Sequence, residues 1–90
     1  MFIKWEQDDG YVVVVPKKKI SAYVIAPNGE ITVYVSGCSS EDAFCNPLYR
    51  GYKEIAEKVM VDAMQTDKYI AELPTMENIK EYFNGQNKDN

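Results

Sequence analysis

From Phe2 to Gln7 apolar and polar side chains alternate. Ile3 and Trp5 fall on one side and Lys4 and Glu6 on the other, the two-residue period of a half-buried strand. Asp8-Asp9-Gly10 follows as a turn, because glycine accepts positive φ at no steric cost. Residues 11–15, a tyrosine followed by four β-branched valines, favour a strand and are too few for a stable helix, so they read as the returning strand. Pro16 ends it, having no amide hydrogen to give a ladder, and Lys17-Lys18-Lys19 forms a solvated link.

Residues 20–26 and 30–36 flank Asn28-Gly29, the strongest short hairpin signal in the chain. A two-residue turn there sets Ala26 opposite Ile31, Val24 opposite Val33 and Ala22 opposite Val35. On the other side Ile25 meets Thr32, Tyr23 meets Tyr34 and Ser21 meets Ser36. The same count in the first hairpin pairs Trp5 with Val14 and Glu6 with Val13. One aliphatic face is thereby assigned to the core. The opposite face carries Tyr23, Ile25, Thr32 and Tyr34, with Val13 and Val15.

Gly37 breaks the pattern, and Ser39 or Ser40 is positioned to cap a short turn reaching Phe44, with Glu41 and Asp42 near its positive end. Asn46-Pro47 is a helix start, since asparagine caps and proline suits the first helical position. The helix is expected over residues 47–65. Leu48, Tyr52, Ile55, Val59 and Ala63 recur every three or four residues with Ala56 and Met60 beside them, while Arg50, Lys53, Glu54, Glu57, Lys58 and Asp62 stay wet. Glu54 and Lys58 have the spacing of a helical ion pair. Gly51 costs that helix about 1 kcal/mol relative to alanine and suggests close packing. Residues 68–72 alternate as a fifth strand would, and a last short helix is expected over residues 76–84, with Met76, Ile79 and Phe83 on one side and Gly85 as its stop.

The fold class that follows is α+β. An antiparallel sheet of four to five strands, built from two N-terminal hairpins, packs on one long helix with a short C-terminal helix beside it. Residues 1–85 form a single domain and residues 86–90 a frayed polar tail. The 90 residues are 46% apolar and 27% charged, ordinary values for one globular core. No apolar run approaches the roughly 20 residues that span a bilayer, and the start lacks the pattern of a signal peptide. A cytoplasmic location without membrane contact is the simplest expectation.

The chain contains no histidine, which removes the commonest general base and metal ligand together. Cys38 and Cys45 do not make a Cys-x-x-Cys motif and cannot fill a tetrahedral zinc site alone. Packing as small apolar groups is one reading of them, and a single bridge is another. The acid pairs Asp8–Asp9 and Glu41–Asp42 are adjacent residues explained by turn and cap chemistry, and they do not converge on one bond as glycosidase carboxylates do. No phosphate loop, nucleophile elbow or metal signature is present. The sequence therefore implies no enzyme, no cofactor and no metal.

Charge narrows the partner. The formal net charge is −4, and residues 41–82 hold nine acids against five bases, which supplies the whole excess. Free nucleic acid is disfavoured, because phosphate binding needs a basic surface. Seven tyrosines in 90 residues exceed what a core of this size requires. Tyrosine is enriched at binding surfaces for its rigid apolar ring and polar tip. Tyr23, Ile25, Thr32 and Tyr34 are therefore the expected anchor for a protein partner, with Glu54, Glu57 and Asp62 steering towards a basic groove.

In overall build the chain resembles the small phage-encoded anti-defence proteins such as anti-CRISPR inhibitors. The features that carry the likeness are the turns Asp9-Gly10 and Asn28-Gly29, the Asn46-Pro47 helix start and the acidic second half. The resemblance implies an acidic, single-domain, non-enzymatic inhibitor, and it transfers no functional residue. The expected function is thus a non-catalytic module that occupies a functional surface of a larger, nucleic-acid-processing partner. The alternative is a homo-oligomer that sequesters a nucleotide or other small ligand, with the lysine loop and residues 37–40 holding an anion; a homodimer is open to either reading.

Overall fold

The computed structural model describes residues 1–37 and 41–81. Among these residues the strands are β1 (Phe2–Glu6), β2 (Val12–Pro16), β3 (Ile20–Ile25), β4 (Ile31–Ser36), β5 (Glu41–Asn46) and β6 (Ile70–Glu72), and the one substantial helix is α1 (Lys53–Gln65). Short 3-10 turns occupy Lys17–Lys19, Pro47–Tyr49 and Met76–Asn78. The class is α+β, but the strands divide into two three-stranded sheets, ordered β2-β1-β6 and β3-β4-β5. The single sheet of four to five strands does not form. After β2 the chain turns at the lysines and starts a second sheet, while the other side of β1 is taken by β6, in parallel.

Both hairpins form where the sequence places them, and both are shifted by one residue. Ala26 donates to the carbonyl of Glu30 at 2.9 Å, and Gly29 donates to that of Ala26 at 2.8 Å. The loop therefore holds three residues, Pro27, Asn28 and Gly29, with Gly29 at φ +93°. A two-residue turn would pair Pro27 with Glu30, where proline can accept from the Glu30 amide but has no amide hydrogen to return. It suits the second position of a type I turn followed by a left-handed glycine instead. The first hairpin repeats the design: Gln7 donates to Tyr11 and Gly10 to Gln7, and Gly10 has φ +94°.

That one-residue step exchanges the faces of a strand relative to its partner. Trp5 pairs with Val13 and Glu6 with Val12, so Val13 and Val15 turn inward and Val12 and Val14 outward. In the second hairpin Tyr23 meets Val33 and Ile25 meets Ile31, whereas Val24 meets Thr32 and Ala22 meets Tyr34.

The helix is shorter than expected. Asn46 does act as a cap, its side-chain oxygen accepting from the Leu48 amide at 2.9 Å with Pro47 next in line. The turn it starts ends within three residues, because Gly51 adopts φ +91° and no helix continues through that conformation. Helix α1 begins at Lys53, with Tyr52 exposed at its cap. Tyr49, fully buried, takes the core position expected of Tyr52, and its hydroxyl donates to the Pro74 carbonyl. Residues 41–44, expected in a capped turn, form with Cys45 and Asn46 the strand β5 instead, paired along the whole of β4. Lys58 reaches Asp62 at 3.9 Å rather than Glu54, and Lys53 reaches Glu57 at 3.4 Å.

One core joins these parts. Ile3, Trp5, Val15 and Ala71 come from the first sheet, Ile31 and Val33 from the second, and Ala56, Val59, Met60 and Ala63 from α1. Trp5 is completely buried, and its ring alone removes enough surface to stabilise the fold by roughly 4–6 kcal/mol. The last helix starts with a capping box, Thr75 accepting from the Asn78 amide, and Ile79 is buried beyond it. Helical residues continue to Glu81. Cys38, Ser39, Ser40, Phe83, the end of that helix, its Gly85 stop and the tail over 86–90 lie outside the described residues.

Candidate functional site

The surface expected from the sequence is divided by the register shift. Tyr23 and Ile25 pack against the core, while Thr32 and Tyr34 lie on the outer face of the second sheet, beside Val24, Cys45 and Ala43. Glu54 and Glu57 are exposed on α1 and Asp62 is half-buried there, with Glu57 and Asp62 in the ion pairs already described. The four sheet residues therefore do not share one accessible face.

A different apolar surface stands in its place, on the outer side of the first sheet. Phe2 pairs with Pro16 on one flank and Ile70 on the other, and Lys4 lies between Val14 and Glu72. Val12 is 54% exposed, Val14 51%, Ile70 45% and Tyr69 69%. The Tyr69 ring meets Phe2 edge to face, with centroids 5.5 Å apart. Lys4 and Glu72 form an ion pair at 3.8 Å across this face, and Glu6 is exposed at its end opposite Val12. The sequence held one signal of this surface. A strand of four valines has no alternation, so two of them must face away from any single core.

Among the described residues the edge of this sheet is also open, strand β2 pairing there with β1 alone. Gln7 donates to Tyr11 at 2.8 Å and Lys17 to Met1 at 2.9 Å, bonds at the two ends of the ladder that fix its phase. In an antiparallel pair the bonded residues alternate. Val13 and Val15 therefore bond to β1, while Val12 and Val14 aim their amide and carbonyl groups outward.

The polar cluster at the far end of the second sheet is structural in character. Arg50 donates to Glu30 at 2.7 Å, and this hydrogen bond, with a smaller one from Cys45, holds the Glu30 carboxyl below its ordinary value. Burial pushes the Cys45 thiol above the ordinary thiol value, and the Glu30 carboxylate pushes it the same way. A thiol so placed is a poor nucleophile. The lysine link is partly engaged, Lys17 donating to the Thr66 carbonyl at 2.6 Å.

Among the described residues no group of three or more histidine, cysteine or carboxylate side chains is arranged to hold a metal ion. No helix among them is long and apolar enough to cross a membrane. A half-open cleft between the end of α1 and β6 is walled by Asp62, Thr66, Lys68 and Glu72 over Val59, Ala63 and Leu73. Compared with known proteins, the chain matches no family model, no curated protein and no solved structure.

Proposed function

We propose that this chain is a non-catalytic protein-binding module that docks a partner on the outer face of its first sheet. The observation that supports the reading is the run of exposed apolar side chains from Val12 and Val14 past Phe2 to Tyr69 and Ile70. Contiguous exposed apolar surface rimmed by polar groups marks interaction sites. Tyr69 adds a ring with a polar tip, the kind of residue that carries binding energy at such sites. Inhibition of a larger nucleic-acid-processing protein, as in the anti-defence proteins that the chain resembles, is the form of this function we favour. The acids on α1 would steer approach to a basic groove and act on the association rate more than on affinity.

Affinity capture from the source cells with three versions of the chain tests the assignment. Wild type and Tyr34→Ala should retain the same partner, and the double variant Tyr69→Ser, Ile70→Thr should lose it. Both substituted side chains are exposed, so folding should change by no more than about 0.5–1 kcal/mol. Undiminished capture by the double variant rejects this face as the site.

A further inference from the structure

We infer that the open edge of β2 pairs with the same edge of a second copy of this chain, antiparallel, with Val12 opposite Val14 of the other copy and Val13 at the two-fold axis. The inference extends the binding face proposed above but rests on different groups, the backbone of β2 and the charges at its two ends.

Sheet edges are ordinarily protected by charge, bulges, proline or brevity. The other edges follow that practice. Strand β3 has a register irregularity between Ile20 and Ala22, β5 carries Asp42, and β6 is three residues long and ends in Glu72. Strand β2 has five residues, none charged, in an unbroken ladder with β1. Its proline stands last, leaving both outward amides, those of Val12 and Val14, free to donate.

The outward groups choose the register. With Val12 opposite Val14, each copy gives two amides and two carbonyls, and four hydrogen bonds form with none of these groups left over. Centring on Val14 would instead set Val12 opposite Pro16, which has no amide to return. Centring on Val12 would set Val14 opposite Gly10, whose amide already binds the Gln7 carbonyl. Continuing the favoured count beyond the strand brings the Asp8-Asp9 turn of one copy beside Lys17 and Lys18 of the other. Asp8 and Lys18 are both exposed, and the pairing of one with the other across the two-fold occurs twice, once at each end. The edge is thus self-complementary in hydrogen bonding and in charge. The product is one six-stranded sheet in which the Val12 and Val14 rows of the two copies adjoin, doubling the apolar outer face.

Sedimentation over about 1–500 µM, a span in which pairs of ordinary strength associate, should show wild type passing from the chain mass to twice that mass. Val14→Lys should remain at the chain mass with unchanged circular dichroism. Asp8→Lys or Lys18→Glu alone should weaken association about fivefold, and the two reversals in one chain should restore it, the signature of a direct pair. With both native cysteines replaced by serine, Val13→Cys should cross-link under mild oxidation as a dimer, and Val12→Cys should not. The Tyr69→Ser, Ile70→Thr variant should still dimerise. A wild type that stays at the chain mass throughout overturns the inference, as does a dimer that survives Val14→Lys or fails to recover on double reversal. Neither result touches the partner-capture reading, which is scored on the face variant.

Discussion

Gly51 donates its amide hydrogen to the carbonyl oxygen of Asn28, pinning the turn of the second hairpin against the segment that leads into α1. Gly29 is buried beneath that contact, and a Cβ placed on it would run into the Tyr49 carbonyl oxygen and lie 3.0 Å from the Lys53 nitrogen. Gly10 holds the same turn position in the first hairpin, at nearly the same φ, with open space around it. Alanine at position 10 should therefore cost only the left-handed conformation, about 1–2 kcal/mol. Alanine at position 29 should cost distinctly more, because two backbone segments must separate. Urea titration of the two variants gives the comparison, and equal losses would contradict the docking.

The Tyr49 hydroxyl ties the 3-10 turn after β5 to Pro74, 25 residues later. Tyr49→Phe keeps the ring and removes the donor to a carbonyl that then lacks it. A loss of about 1–3 kcal/mol is expected, read from thermal or denaturant unfolding.

Glu30 has its carboxyl held down by Arg50, so its folded value lies below the unfolded one. Such a group contributes stability that is present above the unfolded value and is lost as pH falls through the folded value. In carbon-detected NMR titration Glu30 should ionise at lower pH than an ordinary glutamate, and Arg50→Met should move it upward. The same contact bears on Cys45. In a Cys38→Ser background, Glu30→Gln should speed alkylation of Cys45 at neutral pH, since the carboxylate helps to hold that thiol protonated. An unchanged rate would remove the carboxylate from the account.

Tyr23 and Tyr34 should separate in a stability measurement although neither is fully buried. Tyr23 packs on the core, so Tyr23→Ala should cost about 2–3 kcal/mol, towards the low end of aromatic truncations. Tyr34 stands on the outer face beside Ala22 and Ala43, and its removal should cost no more than about 1 kcal/mol, the scale of a cross-strand contact. Similar losses would mean the register had been misassigned.

The two turns, the cap at Asn46 and the apolar stripe of α1 were legible because each rests on local chemistry that a few neighbours decide. The register was legible too, but in Pro27 rather than in Asn28-Gly29. A residue without an amide hydrogen makes only one of the two bonds that close a two-residue loop, and the three-residue loop that Pro27 favours instead moves Tyr23 from the outer face to the inner one. The uniform valines of β2 gave no alternation to check the first hairpin by. Strand β5 was hidden because Glu41, Asp42 and Asn46 suit a capped turn as well as they suit the last strand of an open sheet. The division into two sheets depends on β6 reaching β1, a long-range pairing that no local pattern announces. The exposed face of Val12, Val14 and Ile70 follows from those two steps together, and so does the division of the surface built on Tyr23 and Tyr34.

Strand β6 lies alongside β1 in parallel, from Phe2 against Ile70 to Lys4 against Glu72. Strand β1 therefore waits for β6, made more than sixty residues later, before it gains its second neighbour. Closing so large a loop is slow compared with forming a hairpin. On a ribosome, the first hairpin would emerge with both flanks bare while some fifty further residues are still being added. Any helper that shelters nascent chains has its target in that interval, on the side of β1 that the finished molecule conceals.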